Sequence, residues 1–202
     1  MFSFREKVDM KIIVGITGAS GVIYGIRLLE VLKERNIADT HLIVSEPAKK
    51  IISIETEYEL DKIYALASHV YDNSDFTAPP CSGSVQYDGA IIAPCSMKTL
   101  GSIASGISTT LVARVAEICL KESRRLVIIP RETPLSLIHL TNMVTVKKAG
   151  AIMLPASPAF YHEPKTVLDM VDFVVARALD VFGIELGAGK QEYNLIKRWK
   201  AI

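Results

Sequence analysis

Cysteine is scarce in this chain: Cys81, Cys95 and Cys119 are the only three in 202 residues, and no two form a CxxC pair. That usage excludes a disulfide framework and a structural zinc knuckle, and it fits reduced thiols in a cytoplasmic protein. Long apolar runs are missing too. Lys, Glu, Arg or Asp interrupts each helical stretch short of the ~20 residues that span a bilayer, so a soluble protein is expected. Net charge is almost absent at +1, and no whole-chain field points to nucleic acid or an anionic membrane. A small-molecule partner is expected instead. The opening MFSFREKVDM lacks the apolar core of a secretory signal and reads as a loose lead-in over residues 1–10.

Common catalytic signatures are also wanting. There is no HExxH or HxxxH, and His41, His69, His139 and His162 are scattered through different segments, so no protein-held metal is expected. No GxSxG elbow supports hydrolase chemistry. The glycines of GITGASGVIYG, Gly15 to Gly25, fit neither G-x-G-x-x-G nor the GK[ST] of a P-loop. The physics behind both patterns still applies: a tight turn exposes N–H groups at a helix N-terminus toward an anion. Ser20 reads either as a cap of that helix or as a ligand donor, and this motif alone leaves both open.

What the chain does have is apolar residues, half of its composition, arranged as short β-branched runs with amphipathic stretches between them. Strands are predicted at Lys11 to Ile16, His41 to Val44, Gly89 to Ala93, Arg125 to Pro130 and Ala151 to Pro155. Such uniformly apolar strands suit a parallel sheet covered on both faces. The alternation predicts a doubly wound, mainly parallel α/β fold of flavodoxin-like or Rossmann-like type. Helices are predicted after the glycine turn and over Ala48 to Ile54, Thr110 to Lys121, Ser136 to Lys148 and Lys165 to Val181. Gly150 reads as a helix stop and Pro164 as a helix start. Residues 1–202 read as one domain with a C-terminal extension over 184–202. The segment Tyr71 to Asp88, rich in Pro, Ser, Gly and Asp, reads as a long functional loop.

Small hydroxyl residues follow successive strands: Ser45 after the second, and Ser96 to Thr99 after the third. Each alone is an ordinary helix cap. Together with the glycine turn they converge on the crevice where doubly wound folds bind ligands, which favours a phosphate-bearing cofactor. Arg131 and Glu132 follow the fourth strand, a binding position. Arg114 and Lys121 share a helix face, but Glu117 between them suits an exposed ion-pair ladder. Arg177 has Asp180 one turn away, Tyr161 and His162 suit a loop cover, and Glu55 reads as an exposed helix-end carboxylate.

Six blocks carry a further reading: TGASGVIYGIRLLEVL, TAPPCSGS, APCSMKTLGSIASG, LVIIPRETPLSLIHLTNM, LPASPAFYHEP and VDFVVAR. Their content and order resemble the UbiX-type flavin prenyltransferases from about Lys11 to about Gly183. The resemblance implies a homo-oligomer, often a dodecamer, with its site at a subunit junction. It implies that reduced FMN is alkylated at N5 by dimethylallyl monophosphate and then closed at C6. The prenylated FMN then serves a UbiD-type decarboxylase.

Carried over block by block, Gly18, Ala19, Ser20, Ser45, Ser96, Met97, Lys98, Thr99 and Arg131 meet FMN. Phe76, Ser82, Arg114, Lys121, Tyr161 and Arg177 surround dimethylallyl phosphate, some from neighbouring chains. Ser20, Glu55, Glu132, Lys121 and Arg114 are the implied catalytic set. Glu55 and Ser20 relay a proton around N5, and Glu132 acts as acid and base with the phosphate. An Arg and Lys cage suits a metal-independent reaction, because a departing monophosphate needs its growing charge neutralised. No DDxxD-type magnesium motif is present. The chain departs from the family at Phe76, where a Trp is usual, and in GAGKQEYNLIKRW near the end, where no role is assigned to Trp199. Two other functions share this fold. A flavin-dependent decarboxylase of cysteine type would carry a PASANT-like motif where this chain reads APCSMKTL. An FMN-delivery module would bind flavin without chemistry.

Overall fold

The computed structural model describes residues 10–184 and residue 195; the expected lead-in over 1–9 and the extension with Trp199 lie outside the described residues. Six strands form one sheet: β1 (Lys11–Ile16), β2 (Asp39–Val44), β3 (His69–Asp72), β4 (Gly89–Cys95), β5 (Arg125–Pro130) and β6 (Ile152–Met153). All neighbouring pairs are parallel, in the order β3-β2-β1-β4-β5-β6. The chain starts in the middle, winds outward through β2 and β3, and crosses back to β4. That reversal between β1 and β4 opens a crevice at the carboxyl ends of the strands.

Alternation along each strand sends its side chains into two separate cores. Ile12, Val14, Ile16, Leu42, Val44, Ile91, Val127 and Ile129 pack under α1 (Ile23–Glu34), α2 (Glu46–Glu55) and α7 (Val167–Phe182). Ile13, Ile43, Ala90, Ile92, Leu126 and Ile128 face the other way, under α4 (Met97–Ala104) and α5 (Leu111–Lys121). This is why the central strands read as continuous apolar runs: every residue of β4 is buried. A short α3 (Leu60–Tyr64) precedes β3.

The helix α6 (Leu137–Lys148) behaves differently. Of its twelve residues only Val146 is buried, and Leu137, Ile138, Leu140 and Val144 are all exposed. Its apolar residues are spread around the cylinder instead of lying on one stripe, so a single neighbour, α4, cannot cover them.

The predicted doubly wound sheet is found, with differences at its edges. The strand β3 falls partly within the segment predicted as loop. Its four residues are largely exposed and carry no apolar run, so hydrophobicity gave no signal for it. The rest of Tyr71 to Asp88 contains only a 3₁₀ turn at Pro79–Cys81. The helix α4 was not among the predicted helices, although the reading of Ser96 as a cap agrees with its start. The last strand shrinks to two residues. Pro164 does not start α7: Thr166 is the N-cap, and a reciprocal capping box with Asp169 fixes the start two residues later.

Candidate functional site

Three helix N-termini meet at the carboxyl edge of the sheet. Ser45, Ser96 and Thr110 cap α2, α4 and α5, their hydroxyls accepting from the Ala48, Thr99 and Ala113 N–H groups at 3.3, 3.3 and 3.4 Å. All three residues line one cavity of about 380 Å³, together with Thr17, Gly18, Asn73, Met97, Lys98 and Glu132. Each helix brings the positive end of its dipole and unpaired N–H groups to that wall, so the cavity favours an anionic ligand without a large net charge. Capping and ligand binding are thus not alternatives for Ser45 and Ser96: the same residues do the first and border the second.

Thr17 and Asn73 hold this wall together, and neither was singled out from sequence. The buried Thr17 hydroxyl donates to the Pro94 carbonyl at 2.8 Å and accepts from the Ser96 N–H at 2.8 Å, locking the end of β1 to the start of α4. Asn73 accepts from Val112 N–H through its side chain at 3.1 Å and from Leu111 N–H through its carbonyl at 2.8 Å. For Thr17 the signal was present, a polar residue directly after a predicted strand; for Asn73 it was not, because β3 was not predicted and its partners Leu111 and Val112 lie far along the chain.

The glycine turn is shaped first by packing. A Cβ on Gly18 would lie 2.5 Å from the Pro47 Cβ, and Gly21 has φ +94°. Ser20 does not cap α1; Val22 occupies that position without a side-chain bond, and Ser20 is exposed. The missing acceptor comes from far along the chain. The Glu55 carboxylate, at the end of α2, accepts from the Gly21 N–H at 2.8 Å and the Val22 N–H at 3.4 Å. Glu55 is the exposed helix end that its sequence setting suggested, and its carboxylate also docks on the turn beside Ser20. Ala19 is buried in the same turn. Arg131 reaches back from β5, its Nε donating to the Ser20 carbonyl at 2.9 Å.

Glu132 borders two hollows at once. It lines the main cavity and also a smaller one of about 160 Å³ formed with Arg131, Thr133, Leu135, Met143 and Ser157. A carboxyl group shared by two adjoining hollows is suited to moving a proton between their contents. Thiol chemistry has no candidate in the core: burial pushes both Cys95 and Cys119 up to about 12.

The remaining expected residues do not join this cavity within one chain. Arg114 ion-pairs with Glu117 at 2.9 Å and donates to the Cys81 carbonyl at 3.4 Å. Lys121 pairs with Glu122 and stands over Gly83, while Ser82 bonds Ser84 at 2.8 Å. Both cations thus face the segment 81–83, but Lys121 lies eleven residues past Thr110, about 16 Å along the helix. Arg177 pairs with Asp180 at 2.9 Å on α7, which covers the opposite face of the sheet. Tyr161 is exposed, with its ring edge against Phe173 at 5.8 Å, and Phe76 is exposed on the loop after β3.

Comparison with known proteins adds an independent finding. A model of the flavoprotein family matches residues 3–179. The flavin prenyltransferase UbiX of Methanocaldococcus jannaschii is 51% identical over 193 residues, covering 96% of this chain and 100% of the relative. The crystal structure of AnUbiX (PadA1), determined in complex with FMN and dimethylallyl pyrophosphate, superposes with TM-score 0.89 at 42% identity, covering 96% of this chain and 98% of that one. A dodecameric, FMN-dependent UbiX-like decarboxylase from Escherichia coli O157:H7 superposes with TM-score 0.88 at 46% identity, covering 95% and 100%.

Proposed function

The chain belongs to the flavoprotein family and, within it, to the UbiX-type flavin prenyltransferases, and from that premise we propose that it prenylates reduced FMN. The dimethylallyl group of dimethylallyl monophosphate passes to flavin N5, phosphate leaves, and a second bond closes at C6. The product supplies a UbiD-type decarboxylase, and the reaction proceeds without a metal in a cytoplasmic homo-oligomer.

The observation that carries this reading is the convergence of α2, α4 and α5 N-termini on one cavity bordered by Glu132. The cavity's donors fit a flavin mononucleotide. Gly18, Ala19 and Ser20 offer turn backbone, Ser45, Ser96 and Thr99 offer hydroxyls, and Lys98 offers one cation beside Met97. The Gly18 and Ser20 N–H groups have no partner among the described residues, and Arg131 braces the turn from outside. The flavin supplies the nucleophilic ring atoms; the chain supplies position and proton handling. Glu55, bonded to the N–H of Gly21 next to Ser20, is the proposed partner of the Ser20 hydroxyl in a proton relay. Glu132 returns a proton to the departing phosphate and removes one during ring closure.

The donor's phosphate needs cations. Arg114, Lys121 and Arg177, with Ser82 and Tyr161, supply them only if subunits combine, since two of the three cations lie on one face of the sheet and the third on the other. Phe76 offers a π face to the allylic group. The test is anaerobic incubation of the protein with reduced FMN and dimethylallyl monophosphate, with the pyrophosphate in parallel. Flavin heavier by one five-carbon unit is expected by mass spectrometry, and Glu132→Gln is expected to slow its formation by about 10²–10⁴-fold. Unchanged FMN with both donors would overturn the proposal.

A further inference from the structure

The parallel pairing of β2 with β3 sets His41 directly opposite His69. Their rings stack with centroids 4.6 Å apart, and Asp39, at the start of β2, reaches both. Its Oδ2 lies 3.4 Å from His41 Nε2 and its Oδ1 lies 3.6 Å from His69 Nε2. We propose that Asp39, His41 and His69 form a binding site for a divalent transition metal of zinc type.

The geometry carries this assignment in three ways. Metal-to-ligand bonds of about 2.0–2.2 Å at tetrahedral angles separate neighbouring ligand atoms by roughly 3.3–3.5 Å, close to both observed oxygen-to-nitrogen distances. The three ligand atoms all lie within 4.8 Å of one another, and His69, half-exposed, has room to turn the remaining ångström. The second point is an unsatisfied atom. His41 is only 6% exposed, and its buried Nε2 makes no well-formed hydrogen bond, with Asp39 Oδ2 standing off at 3.4 Å. A buried ring nitrogen without a partner is costly, and a cation between it and Asp39 removes that cost. The third is orientation. His41 Nδ1 bonds the Tyr71 hydroxyl at 2.9 Å and the Tyr87 ring meets His41 edge-on at 4.8 Å, so the imidazole is held by its other nitrogen as metal-bound histidines are.

The site lies toward the amino edge of the sheet, with Asp39 six and His41 four residues before Ser45, roughly 13–20 Å along β2, so it stands apart from the proposed chemistry. It spans β2 and the exposed edge strand β3, which has a partner on one side only. A bound ion therefore clips β3 in place, and with it Asn73 beyond its end.

Zinc chloride alone, titrated into the full chain by calorimetry, is expected to show one equivalent bound. The Tm is expected to rise with zinc. His69→Gln, at a half-exposed position that the fold tolerates, is expected to lose that equivalent and the zinc-dependent rise while keeping the metal-free Tm. Tyr71→Phe is expected to bind about 10-fold more weakly. Cobalt(II) on the wild-type chain is expected to give the intense visible bands of a tetrahedral ion. No zinc binding by the wild type, or equal binding by wild type and His69→Gln, would overturn the site.

Discussion

Thr17 illustrates how a single hydroxyl sets the geometry of a cavity. Its two 2.8 Å bonds join a carbonyl of β4 to the first N–H before α4. Thr17→Val keeps the shape and removes both bonds, leaving the Ser96 N–H unpaired and the Pro94 carbonyl with only the Thr17 N–H at 3.2 Å, at a cost of about 1–3 kcal/mol. A Tm lower by several degrees is expected for a chain of this size, and Thr17→Ser should recover most of it; a wild-type Tm in Thr17→Val would show that the hydroxyl holds nothing. Glu117 acts through charge. The Ser108 hydroxyl, donating at 2.6 Å, and the Arg114 guanidinium hold its carboxyl below the usual glutamate range. A depressed folded-state pKa contributes stability that is present above the unfolded value of 4.5 and is lost as pH falls through the folded value. The Tm gap between wild type and Glu117→Gln should therefore be full at neutral pH and close below that depressed value; a gap constant down to the most acidic pH measured would contradict it.

At the scale of elements, α1 and α7 are locked side by side on one face of the sheet. Arg27 of α1 donates to Asp172 of α7 at 2.7 Å, with both side chains mostly buried. The Asp172 carboxylate holds the Arg27 guanidinium firmly charged. Removing Asp172 takes the cross-helix partner from Arg27 and leaves it Glu30 of its own helix at 3.1 Å, so Asp172→Ala is expected to cost about 1–3 kcal/mol, less than for a fully buried pair. Chemical denaturation measures it, and no loss would mean that the seam is wet. The start of α7 was misjudged from sequence for a related reason: Pro164 is permitted at a helix start, but the Thr166 and Asp169 pair satisfies more N–H groups and fixes the boundary.

On the scale of the whole molecule, the exposed apolar residues of α6 and the split cation set point to the same arrangement. Leu137 is 79% exposed and Ile138 70% exposed, an apolar surface of the kind that other subunits cover. Lys121 is remote from its own chain's cavity, so a neighbour's cavity is the natural destination for it. Co-expressing Lys121→Ala with Glu132→Gln tests this. Each variant alone is expected to be nearly inactive, while mixed oligomers should regain about a quarter of the sites, those that draw Glu132 and Lys121 from different chains. No recovery in oligomers shown to be mixed would place both residues in one chain's site.

The parallel sheet, its two-sided burial and the carboxyl-edge hydroxyls were legible in the amino-acid order, because these depend on local periodicity and on which residue follows a strand. Ser45, Ser96 and the glycine turn were legible for that reason, and the six ordered blocks carried the family. What distant residues do to one another emerged from the folded chain alone. Glu55 meets Gly21 across 34 positions, Thr17 meets Ser96 across 79, and His41 meets His69 through strand register. None of these pairings has a local signature, since the free energy that selects them comes from satisfying buried N–H groups and packing two cores at once. The same applies to the cations: sequence spacing put Arg114 and Lys121 on one face, and only the fold set Arg177 on the other.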